Sequence, residues 1–156
     1  MKTKRSYTDG RFGQIHYCTC GEGSPLVLMH QSPTSMIQFD KVWELLAAKG
    51  FKVIGIDMPG FGGSDGPENV PTIGDYAHIV PAVLDDLGID KTDILGHHTG
   101  AIVATEVTSP SSSQSSCKAR STTSETSRGF NPTAISWSAS SLLILCDCIR
   151  SQFHLL

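Results

Sequence analysis

The chain has 156 residues, 39% of them apolar and 17% charged, with 12 basic against 15 acidic side chains and a net charge of −3. That length is about one domain, the composition suits a folded chain, and the charge offers no basic footprint for nucleic acid. Lys2, Lys4 and Arg5 are not followed by an apolar run, so no secretory leader is expected, and the late apolar stretch Leu142–Cys146 is too short to span a bilayer.

Gly13–Cys18 is a predicted strand, closed by the turn Gly21-Glu-Gly-Ser-Pro25. Leu26-Val-Leu-Met29 is a continuous apolar run, the pattern of a strand buried on both faces. A helix is predicted over Phe39–Lys49, with Val42, Leu45, Leu46 and Ala48 on one stripe and Gly50 past its end. Phe51–Ile56 is the next strand. Ile73–Leu87 reads as a helix with Asp75 near its start, Gly88 beyond its end and Pro81 bending or interrupting it. Asp93-Ile-Leu95 is a short buried strand, and Ala101–Val107 begins a helix packed on a sheet. Alternation of this kind implies a parallel sheet with right-handed crossovers.

From about Thr108 the pattern stops. Ser109–Ser127 is mostly Ser and Thr, with too little apolar surface to offset its ordering entropy. Ala134–Trp137 and Leu142–Cys146 carry no agreeing caps or turns. The chain therefore divides into 1–107 and an irregular tail, 108–156. The tail reads as a linker with a docking segment, as a phosphorylatable regulatory segment, or as an out-of-frame or mis-spliced end. Of five cysteines, Cys18/Cys20 and Cys146/Cys148 form C-x-C pairs, a spacing unlike zinc sites. They read as reduced cytoplasmic thiols, with no metal and no cofactor expected.

Between the last predicted strand and helix lies Gly96-His-His-Thr-Gly100. A nucleophile elbow has this Gly-x-x-x-Gly frame, because the backbone folds sharply back and strand and helix approach closely. The middle position ordinarily carries Ser, Asp or Cys; here it is His98.

Four features in order then give a family. Gly23–His30 is similar to a third strand running into a His-Gly loop, and Phe51–Asp57 to the strand after it. Asp57-Met-Pro-Gly-Phe-Gly-Gly-Ser-Asp65 is very similar to a D-x-P-G-x-G-x-S loop, and Gly96–Gly100 to the elbow. Over roughly residues 5–107 the chain resembles the α/β-hydrolase superfamily. The resemblance implies a three-layer α/β sandwich with a mostly parallel sheet, incomplete after the elbow strand and its helix. It implies a nucleophile at the His98 position acting on an ester or similar small-molecule electrophile. It implies an oxyanion hole from the N–H of Thr99 and one from Ser32, or alternatively Gln31, where the family usually has Gly.

Each residue also has a structural alternative. Imidazole forms acyl intermediates, so His98 is a nucleophile or base, or it occupies an inert elbow that keeps its shape. His97 packs or faces solvent, His78 fills a helix surface or core position, and His30 binds its local loop. Asp57 and Asp65 shape their loop by accepting backbone N–H bonds. His30 and His98 together lack a third metal ligand. The triad acid and histidine of the family follow the elbow, where only Glu125, Asp147 and His154 offer themselves, none in a strand–loop setting. The chain is therefore read as part of a hydrolase fold without a complete triad, or as a catalytically dead binding or regulatory relative. A sheet ending at the elbow strand leaves an apolar edge, so self-association or poor solubility is expected unless the tail covers it, readable by size-exclusion chromatography.

Overall fold

A computed structural model describes residues 2–108. The expectations for Glu125, Asp147, His154 and the tail lie outside the described residues.

Five strands form one mixed sheet in the order β1-β2-β4-β3-β5: β1 Lys4–Gly10, β2 Gly13–Cys20, β3 Ser24–Met29, β4 Phe51–Ile56 and β5 Asp93–Gly96. β3 pairs in parallel with β4 (Met29 opposite Ile56) and with β5 (Met29 opposite Gly96), while β1-β2 and β2-β4 are antiparallel. No other described strand pairs with β5.

Helices cover both faces. The strand period of two sends alternate side chains to opposite layers. Ile15, Tyr17, Val27 and Met29 face a core shared with Val80, Val83, Leu84 and Val103. Cys18, Cys20, Leu26 and Leu28 face a second core with Met36, Phe39, Trp43 and Leu46. Because both faces are buried, Leu26–Met29 of β3 and Val53–Ile56 of β4 read as unbroken apolar runs.

Three elements differ from expectation. β1 was not anticipated, because none of its side chains is buried and its sequence carries no apolar alternation. The helix predicted over Phe39–Lys49 is a short 3-10 turn at Met36–Phe39, then α1 at Trp43–Ala48. Its buried stripe is Phe39, Trp43, Leu46 and Ala47, whereas Val42 and Leu45 are exposed. Trp43 sets that rotation: its ring lies over Gly55 so closely that a Cβ there would run into it. Finally, Ile73–Leu87 is two helices, α2 Ile73–Ala77 and α3 Ile79–Asp86, joined at His78. Pro81 supplies no N–H and crowds the carbonyl four residues earlier, that of Ala77, so the break falls there.

Candidate functional site

The C-terminal ends of parallel strands β3, β4 and β5 define the functional edge. Chain order sends the connection from β3 to one neighbour and the later one to β5 on the other side. Loops therefore part above β3 and β5, opening the crevice where open α/β sheets bind ligands.

The elbow stands at that crevice. α4 (Thr99–Thr108) follows it directly. His98 has φ 54°, the one described non-glycine residue with positive φ. A side chain held in this left-handed region is strained and marks a site that the surrounding packing over-determines. The packing is visible in the flanking glycines. A Cβ on Gly96 would run into the Gly100 carbonyl, and one on Gly100 into the carbonyl oxygens of Met29 and His30. His97 N–H donates to Met29 O at 3.0 Å, and Ala101 N–H to His98 O at 3.0 Å, closing strand onto helix. His98 is exposed, with Nδ1 3.3 Å from Thr99 Oγ1. His97 is half-buried, and its Nδ1 is a buried atom without a hydrogen-bond partner among the described residues. His78 is exposed between α2 and α3.

The neighbouring loops are fastened from below. Asp57 is 2% exposed. Its Oδ1 accepts Met36 N–H at 2.8 Å, and its Oδ2 lies 2.9 Å from Gly63 N and 2.8 Å from His16 Nδ1. One carboxylate thus ties the 3-10 turn, the Asp57–Asp65 loop and β2 together. Gly62, at φ 56°, passes so near that a Cβ would collide with the carboxylate. Asp65 Oδ2 accepts Gln14 N–H at 2.8 Å, and Ser64 Oγ accepts His16 N–H at 2.9 Å. Asp57, Gly63, Ser64 and Asp65 of the motif thereby dock on β2, while Gly62 makes room for the Asp57 carboxylate.

His16 had no local signal in the sequence; its partner is 41 positions away. With Nδ1–H given to Asp57, its Nε2 faces Cys18 Sγ at 3.8 Å. This outlines a thiol–imidazole–carboxylate line, yet burial pushes the Cys18 thiol up. A thiol kept protonated is a poor nucleophile.

His30 is fully buried. Its Nδ1 lies 2.8 Å from Gln31 O, and its Nε2 accepts Met58 N–H at 2.9 Å. Both bonds are satisfied by one neutral tautomer, protonated at Nδ1. Burial lowers its pKa from the ordinary histidine value, outweighing the Gln31 carbonyl and Asp57, which act oppositely. The unfolded chain then takes up a proton before the folded chain does. Stability is fully present above about pH 6.5 and falls as pH drops below it. Urea midpoints at pH 7.5 and 5.5 check this: the decline is expected to be smaller in His30→Gln, and an equal decline would refute it.

Around the crevice, Thr99 opens α4, where first-turn N–H groups lack intrahelical acceptors. Gln31 N–H donates to Gln38 Oε1 at 3.0 Å. Ser32 is exposed. Gln38, on the 3-10 turn Met36–Phe39, holds the loop after β3 and was missed by sequence reasoning, since it stands seven positions from its partner. Among the described residues no group of three or more His, Cys, Asp or Glu could hold a metal, and no helix is long and apolar enough to cross a membrane.

Sheet order, loop motif and elbow together define an α/β-hydrolase core. The model of the alpha/beta hydrolase fold family matches residues 24–138, and the chain belongs to that family. It is 41% identical over 90 residues to the human (Homo sapiens) mesoderm-specific transcript homolog protein, covering 54% of this chain and 27% of that protein. It is 37% identical over 91 residues to a soluble epoxide hydrolase of Corynebacterium sp. (strain C12), covering 58% and 32%. A solved epoxide hydrolase from an endophytic Streptomyces superposes with a TM-score of 0.65 at 26% identity, over 68% of this chain and 33% of that one. The chain thus spans about a third of the length of these relatives.

Proposed function

We propose that the crevice at the elbow binds a small molecule through a carbonyl or carboxylate oxygen, held by the N–H groups of Thr99 and Ser32, without the ordinary nucleophile–histidine–acid cycle. The observation that carries this is His98 itself. It occupies the strained elbow position at φ 54°, and among the described residues its ring meets the Thr99 hydroxyl rather than a carboxylate. A catalytic imidazole needs a partner that sets its tautomer and stabilises its cation. The donors of an oxyanion site, by contrast, are backbone groups and survive the change of side chain. Ser32 is favoured over Gln31 because the Gln31 N–H is already given to Gln38. The epoxide hydrolases among the relatives support a small-molecule ligand. Free, buried Cys18 and Cys20 support a reducing, cytoplasmic location.

Turnover of a generic aryl ester by the native chain, His98→Ala and His98→Ser tests the proposal. All three are expected to stay at the buffer rate, because loss of the nucleophile alone typically removes about a million-fold in turnover. Native activity abolished by His98→Ala would overturn it and make His98 a working nucleophile.

A further inference from the structure

The loop after β3 has Gln31 where the family resemblance places glycine, and the peptide groups on both sides of this residue are held. Gln31 N–H donates to Gln38 Oε1 at 3.0 Å. Gln31 O accepts from His30 Nδ1 at 2.8 Å and from Thr34 N–H at 3.1 Å. The Thr34 hydroxyl shares its single proton between Gln31 O, at 3.1 Å, and Gln38 Oε1, at 2.9 Å. In a trans peptide the C=O and the following N–H point in opposite directions. Pinning the Gln31 carbonyl therefore turns the Ser32 N–H away from this cluster, and no described residue takes it. The 3-10 turn that carries Gln38 is itself seated, with Met36 N–H on Asp57 Oδ1 at 2.8 Å.

We propose that Gln38 is a positioning residue: by closing the Gln31 N–H it makes Ser32, not Gln31, the second N–H donor of the crevice beside Thr99. The backbone N–H of Gln31 does not compete as a donor, because Gln38 Oε1 accepts it. The assignment rests on the binding reading above, and its test separates the two.

The ¹⁵N-labelled full chain serves for both amide hydrogen exchange and titration with sodium benzoate. In the native chain, Ser32 and Thr99 amides are expected to shift together with benzoate, while Gln31 stays silent and protected. Gln38→Ala is expected to speed Gln31 exchange about tenfold, the loss of one hydrogen bond of ordinary strength, and to make the Gln31 amide respond to benzoate. Gln38→Glu restores an acceptor and is expected to restore the protection. Unchanged Gln31 exchange in Gln38→Ala overturns the positioning role, whatever the titration gives. No benzoate shift at Ser32 or Thr99 in the native chain, with exchange still dependent on Gln38, overturns the binding reading and Ser32 as donor while supporting the clamp on Gln31.

Discussion

Gly100→Ala is expected to destabilise the fold by about 2–4 kcal/mol, in the range of severe core substitutions. Helix propensity alone argues the other way, favouring Ala over Gly by about 1 kcal/mol inside a helix. The local geometry decides the sign. The added Cβ would overlap the Met29 carbonyl and stand 2.7 Å from His30 O. These are backbone atoms of β3 and its exit, and β3 is paired on both sides, with β4 and β5. A flexible side chain would swing aside, whereas a strand fixed by two ladders cannot. With a urea slope of about 1–3 kcal/mol/M, the midpoint drops by about 0.7–4 M. Gly74→Ala is the control. It too is helical, but its nearest neighbour to a new Cβ is Thr72 Oγ1 at 3.7 Å. Gly74→Ala is expected to hold or raise the midpoint. A Gly100→Ala midpoint at or above the native one would show that α4 and β3 are not in the close approach described.

Asp57→Ala is expected to cost about 2–5 kcal/mol. It removes one acceptor group that serves Met36 N–H, Gly63 N–H and His16 Nδ1. A buried donor left without a partner costs about 1–3 kcal/mol. Met36 is 6% exposed, so water does not replace that bond, whereas Gly63 is exposed and its N–H recovers part of the loss. Asp57→Asn keeps one acceptor oxygen and is expected to fall between native and Ala. Asp65→Ala is the contrast, because Asp65 is exposed and its bond to Gln14 N–H is replaceable by water; about 1 kcal/mol or less is expected. Chemical denaturation of the three variants ranks them. An Asp57→Ala loss no larger than that of Asp65→Ala would refute the central role given to this carboxylate.

Much of the fold is legible along the chain because its signals are local. β3 and β4 are apolar runs, and Gly50 and Gly88 end their helices at φ 87° and 65°. The elbow is legible for the same reason: a turn this tight leaves no room for a Cβ at Gly96 or Gly100, so the frame is written in five residues. Pro81 marks an interruption within a helical pattern, and the break at His78 follows from its geometry. β1 is hidden because an edge strand with no buried side chain has nothing apolar to alternate. The stripe of α1 is misread because Val42 and Leu45 satisfy the helical period as well as Phe39, Trp43 and Leu46 do. Only the space over Gly55, which admits the Trp43 ring, chooses between them.

The site divides along the same line. The order of residues alone placed the chain in its family, put His98 where a nucleophile stands and marked Thr99, Ser32 and Gln31 as candidate donors. The proposed choice between the two loop candidates rests on packing, because Gln38 reaches Gln31 from a turn that is seated on Asp57. Likewise His16 meets Asp57 across 41 positions and His30 meets Met58 across 28. Hydrogen bonds between distant segments leave no period and no spacing in a sequence, since any chain length between them closes the same contact once the sheet has formed.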